Sequence, residues 1–292
     1  METIDIQLAD IAADDAYAFS YPHLPERWQG VEEKFPGLPL LVIDGQRRVL
    51  CGHDYLLLLR QRGTARAGAL RLDLPPVECL ALNYNVLDRL FGLNLYEKLL
   101  FVKKISPLLP DAEVLRRAHL GFPLNDELRR RLDVLLSEPF RLCLAAGRIG
   151  LKTALKLAGQ PEADRLVQLQ VLRSCGFSES QQWQMAQVLE EIAFREKKPI
   201  AEVLTAGDLP GLLAGEMPQK KFLDALGELR YPALSRRERE WEAWRKKTVP
   251  VRGVSVIHAP LFAREEIQVT LTVKDRDAAE KLLGKLKKTL AH

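Results

Sequence analysis

The sequence predicts a multidomain α+β protein. Three observations carry that expectation. Strand and helix signals alternate over the first hundred residues, separated by Gly and Pro turns. Apolar residues then recur at helical spacing from about Asn94 to Lys198. The final segment reads α-β-β-α. The expected units are an α/β N-terminal domain (1–94), an all-helical middle domain (95–204), a linker with a connecting helix (205–229) and a small C-terminal dimerisation domain (230–292). At roughly 150 residues per domain, 292 residues suffice for about two sizeable cores without staples.

Thr3 to Leu8 alternates and reads as a short strand. Leu38 to Ile43 is an apolar run ending at Asp44-Gly45, a turn signal, so Arg47 to Cys51 is its hairpin partner. Gly52-His53-Asp54 leads into a helix from Tyr55 to about Arg62, stopped by Gly63. Ala69 to Leu74 is another strand. Pro75-Pro76 opens a helix running through Asn85, since proline suits the first helical turn.

In the middle, a helix starts at Leu95, another covers Asp111 to His119, and Asn125 caps one over Asp126 to Leu136. Ser178 with Gln181 forms a capping box. Trp183, Ala186, Leu189, Ile192 and Ala193 share one face of the helix it opens. Gly207, Pro210, Gly211, Gly215 and Pro218 mark residues 205–219 as a linker. Ser235 to Lys247 is a charged helix carrying Trp241 and Trp244, expected in a core. Val254 to His258 and Ile267 to Val273 are strands, and Asp275 to Leu290 is a helix. Two strands bury little apolar surface alone, so dimerisation is the expected source of added stability.

Hydrophobic residues at 47% and charged residues at 28% exclude a disordered or fibrous chain. Cys51, Cys79, Cys143 and Cys175 are widely spaced and flanked by apolar residues. They match neither a zinc site nor a disulfide framework and are expected as buried thiols of a cytoplasmic protein. The acidic start lacks the basic and apolar regions of a signal peptide, and no apolar run approaches a membrane span. The net charge of +4 is unevenly placed. Residues 1–100 carry 10 basic and 14 acidic side chains, a net −4, whereas residues 230–292 carry 15 and 8, a net +7. That asymmetry points to an anionic partner at the C-terminal end.

Several segments resemble a known family. Pro39-Leu40-Leu41-Val42, a hairpin, and Arg48-Val49-Leu50-Cys51-Gly52-His53-Asp54-Tyr55 resemble the ParB/sulfiredoxin-like domain, in which a strand ends in Gly-Glu-Arg-Arg. Ala81-Leu82-Asn83-Tyr84-Asn85-Val86-Leu87-Asp88-Arg89, then Asn94-Leu95-Tyr96-Glu97, follow at the spacing of the family's Glu-Asn-x-x-Arg and Asn-Pro-x-Glu motifs. Leu136-Ser137-Glu138-Pro139, Ala146-Gly147-Arg148-Ile149 and the helix Lys152 to Leu157 resemble the ParB DNA-binding domain, and the terminal α-β-β-α resembles ParB dimerisation domains.

The resemblance implies a dimeric, nucleoid-associated chromosome-partitioning protein. It also implies a nucleotide pocket for CTP with Mg²⁺ at Gly52, His53, Asp54, Tyr55, Asn85 and Arg89. His53, Asp54 and Tyr55 replace the family's Glu-Arg-Arg, and Tyr84 replaces its glutamate. The pocket is therefore expected to be degenerate or altered, because Asp54 repels a phosphate.

His53 and Asp54 also admit two other roles: acid–base catalysis in a phosphotransfer enzyme of the serine-kinase or sulfiredoxin-like kind, or capping of the helix they begin. A dimeric adaptor with a vestigial pocket is a further alternative. Arg129, Arg130 and Arg131 suit either DNA contact or ordinary i,i+4 pairing on a solvated face. Lys281, Lys285 and Lys288 follow one side of the last helix, with Lys287 beside them. They suit either phosphate contact or solubility.

Overall fold

A computed structural model describes residues 2–12, 14–206, 209–214, 218–248, 254–264 and 266–290. The N-terminal part runs β1 (Glu2–Gln7), α1 (Arg27–Lys34), β2 (Leu41–Ile43), β3 (Val49–Cys51), α2 (His53–Gln61), β4 (Arg66–Arg71) and α3 (Pro76–Phe91). Its four strands form one mixed sheet in the order β1-β4-β2-β3. β1 is antiparallel to β4, β4 parallel to β2, and β2 antiparallel to β3.

The β2–β3 hairpin is held by a local aspartate. Asp44 Oδ1 accepts the backbone N–H groups of Gln46 and Arg48, and Oδ2 accepts Arg48 Nε at 2.7 Å. Burial pushes the Asp44 carboxyl up, but these bonds outweigh it and hold its pKa below the usual range.

The expected elements are present with moved edges. β2 is shorter than its apolar run, since Pro39 lacks an N–H for the ladder. The helix α2 begins two residues early, at His53, directly after Gly52. The third helix continues six residues past Asn85, to Phe91. One helix, α1, has no counterpart among the expected elements. Its sequence offers only Trp28 and Val31 as buried residues, too few for a recognisable stripe.

Helices α4 (Leu95–Ile105), α5 (Asp111–Arg117), α6 (Asp126–Leu135), α7 (Glu138–Ala145), α8 (Leu151–Ala158), α9 (Glu162–Ser174), α10 (Glu179–Glu196) and α11 (Ile200–Ala206) build the middle. Asn94 with Glu97, and Ser178 with Gln181, form complete capping boxes. Asn125 Oδ1 accepts Leu128 N at 2.8 Å, as an N-cap does. The stretch expected as a linker differs. Leu209 is 1% exposed, and its short 3₁₀ turn (Leu209–Ala214) packs on α9, α11 and α12 (Pro218–Arg230). Leu209 and the partly buried Leu212 dock a segment whose glycines and prolines suggested freedom. Residues 207, 208 and 215–217 lie outside the described residues.

The C-terminal unit is α13 (Pro232–Thr248), β5 (Val254–His258), β6 (Ile267–Leu271) and α14 (Arg276–Leu290), with β5 and β6 antiparallel. All four cysteines are buried and free. Among the described residues no helix is long and apolar enough to cross a membrane.

Candidate functional site

The most constrained point in the N-terminal part is Gly52. The chain leaves β3 and turns at once into α2, which requires φ = 91°. A Cβ there would lie 2.6 Å from the Leu40 carbonyl oxygen, so only glycine fits. The first intrahelical bond runs from Leu56 N to Gly52 O at 2.8 Å. No side chain caps this end. The capping role considered for His53 and Asp54 is therefore not the one they adopt.

Asp54 turns inward instead. It is 5% exposed, and its Oδ1 lies 2.8 Å from Nδ1 of His23. His23 comes from the loop before α1, 31 residues away, and its side chain is 56% exposed. With Nδ1–H donating to the carboxylate, Nε2 of the half-exposed imidazole has no partner among the described residues.

The loop carrying His23 is clamped by α4. Glu97 Oε1 accepts Tyr21 N at 2.9 Å, Glu97 Oε2 accepts Asn94 N at 2.9 Å, and Asn94 Nδ2 donates to Tyr21 O at 2.6 Å. Tyr21 also meets Tyr96 edge to face, and the Arg141 guanidinium lies 4.8 Å above its ring. Burial raises the Glu97 pKa against the opposing bonds from Tyr21 and Asn94.

His53 is the first residue of α2. Its Nε2 is buried with no partner among the described residues. Burial lowers its pKa to about 4, against the attraction of Asp15, Asp54 and Asp14, so the ring is neutral at pH 7. Lys104, whose charge also lowers the His53 pKa, donates to Asp15 O at 2.6 Å and Ala16 O at 3.0 Å.

The remaining nucleotide residues expected from the sequence do not share these bonds. Tyr55 is buried, and its hydroxyl donates to Glu32 Oε1 at 3.0 Å. Burial and Glu32 push its pKa to about 12. Asn85 Nδ2 donates to Ala81 O and Arg117 O, tying α3 to α5. Arg89 lines a separate apolar cavity. Tyr84 is fully buried, donating to His119 O at 2.8 Å beside Phe101.

These residues do not fit a magnesium triphosphate. Tyr55 and Asn85 bond elsewhere, and Asp54 places a carboxylate at the helix end that phosphate would need. Among the described residues, no group of three or more His, Cys, Asp or Glu side chains is placed to hold a metal ion.

The middle-domain arginines are engaged locally. Arg129 pairs with Asp111, Arg130 Nε donates to Asp126 O at 3.3 Å, and Arg131 Nε lies 3.5 Å from Glu127. Arg131 also lies across Gly159, where no Cβ stands in its way. On α14, Lys281 is exposed, while the side chains of Lys285, Lys287 and Lys288 lie outside the described residues.

The C-terminal unit leaves apolar surface bare. Cross-strand register puts Ile267, Val269 and Leu271 on the same face as Val256. Val256 is 4% exposed, but Ile267 is 47% and Val269 44% exposed. Trp241 and Trp244 are not core residues as expected. Their rings pack at 4.8 Å and line an open cavity of about 410 Å³ with His258 and Phe262.

No family model and no curated protein matches the chain.

Proposed function

We propose that this chain is a dimeric DNA-associated protein of ParB type that meets the phosphate backbone through its C-terminal unit. One observation carries the reading. The unit with the chain's net positive charge, +7, is also the unit whose β5–β6 face is only partly covered. Closing that face against a second copy buries Ile267 and Val269 and doubles the charge presented on one particle. Such electrostatic binding positions a protein on DNA without reading bases.

The residue order of the N-terminal part supports the same reading, since a glycine turn opens α2 straight after the β2–β3 hairpin. Magnesium triphosphate chemistry is not part of the proposal. Duplex binding measured over a salt series tests it. Affinity should fall steeply and linearly on a log–log scale, and absence of binding at about 50 mM salt overturns the proposal.

The His23–Asp54 pair and the orphaned His53 nitrogen favour a second reading, an acid–base enzyme built on the same turn. It predicts a turnover lost in His23→Ala, with residues 230–292 dispensable for the chemistry.

A further inference from the structure

The cavity of about 410 Å³ in the C-terminal unit is not a gap in an apolar core, because charged side chains line it beside the aromatic ones. Trp241 stands nearly perpendicular to His258, at 83°, and to Phe262, at 77°. His258 and Phe262 stack in parallel at 3.7 Å, and the Arg237 guanidinium lies 4.7 Å from the centre of the Phe262 ring. His258 Nδ1 donates to Ala259 O at 2.6 Å, which fixes its ring. Leu261 and Phe262 both hold φ = 53°, a left-handed conformation that is costly for bulky residues. Among the described rings Trp244 packs only on Trp241, and it stays partly exposed.

We propose that this cavity takes one unpaired base of single-stranded DNA, stacked on the Trp241–Trp244 pair, with Arg237 and Arg264 on the flanking phosphates. The proposal rests on the DNA-associated reading and adds a strand preference to it. The lining selects the ligand. Partly exposed indole rings offer a flat face to any base. A base inside a duplex is covered on both faces by its neighbours, so only an unpaired one stacks there. The exposed guanidiniums, in a unit of net +7, attract phosphate and repel an organic cation, the other common occupant of an aromatic pocket. Glu266 lies 3.9 Å from Arg264, which offsets its charge. Glu240 forms no ion pair or hydrogen bond among the described residues and is placed to accept an exocyclic amine of the base. Ile267 lines the cavity and also belongs to the bare sheet face, which puts the base beside the surface that a second copy covers.

Titration of the full chain with oligodeoxycytidylate of about 12 nucleotides, a length within the range of single-strand sites, tests this. The strand should quench tryptophan emission. It should bind at least about tenfold more tightly than an abasic strand of the same length and charge, which keeps the phosphates and removes the bases. Trp244→Ala should weaken its binding by about five- to a hundredfold and change affinity for a duplex by less than about twofold. The abasic comparison uses the unaltered chain and decides the question if Trp244→Ala does not fold. The proposal is overturned by unchanged tryptophan emission at saturation, by equal affinity for the abasic strand, or by undiminished single-strand binding in a folded Trp244→Ala chain. Any of these with duplex binding intact leaves the DNA-associated reading standing, whereas binding to none of the strands overturns both.

Discussion

Asp54, in the first turn of α2, is buried and joined to His23 at 2.8 Å, while His23 remains half in solvent. The pair ties the loop before α1 to the turn at Gly52. Removing the imidazole leaves a buried carboxylate without its partner, which is costlier than losing one bond. His23→Ala and Asp54→Ala should each lower stability by about 1–3 kcal/mol in urea unfolding. The double variant should lose less than the sum of the two, because both changes remove one interaction.

Gly52 and Gly63 separate two costs of side-chain addition. Both have positive φ, 91° and 69°, but only Gly52 has backbone within reach of a Cβ, Leu40 O at 2.6 Å. Gly63→Ala should cost about 1 kcal/mol from strain alone. Gly52→Ala should cost clearly more and shift the α2 resonances in an amide spectrum. Equal unfolding midpoints would show that the close approach does not matter.

His53 sets a pH dependence with a definite sign. Its folded pKa is about 4 against 6.5 for a free histidine, so between those values the unfolded chain binds the extra proton. The native state therefore has its full contribution above pH 6.5 and loses about 2–3 kcal/mol as pH falls to about 4. Glu97 works the other way. Its folded pKa is raised, so its contribution is present at low pH and fades as pH rises through that value. His53→Leu should flatten the acid limb of a stability profile. It also removes an unpaired buried nitrogen, so stability at pH 7 should not fall.

The β5–β6 face predicts the oligomeric state. Ile267→Asp with Val269→Asp should give a monomer by light scattering, since charges replace the apolar surface that a second copy would cover. A dimer that survives both changes places the interface elsewhere.

The two sets of basic residues predict different DNA phenotypes. Arg129 and Arg131 are already paired with Asp111 and Glu127. Replacing Arg129, Arg130 and Arg131 by glutamine should change affinity for duplex by less than about threefold, since paired cations release few counterions. Replacing Lys281, Lys285, Lys287 and Lys288 by glutamine should weaken binding on every sequence and reduce the salt slope by about one for each lysine that meets a phosphate.

What was legible in the sequence was local. Ser178 with Gln181 announces a helix start because both bonds of a capping box close within four residues. Asp44-Gly45 announces a hairpin for the same reason, as the Asp44 side chain serves its own turn. Gly52 was legible as a break, because a strand pattern ends there and a helix begins. Alternation and turn signals likewise sufficed for the α+β class.

The site was not legible, because its partners are distant along the chain. Asp54 is adjacent to the Gly52 turn, yet its partner His23 lies 31 residues earlier in a loop with no periodic pattern. Asn85 and Arg89 lie on one helix four residues apart, but packing sends Arg89 to an apolar slot and Asn85 to α5. Trp241 and Trp244 have the spacing of a core pair, and only the sheet above them decides that they line an open cavity. The sequence by itself determined where helices and strands start, because caps, turns and alternation act over a few residues. The tertiary structure decided which side chains meet, because burial and pairing depend on what the rest of the chain places opposite them.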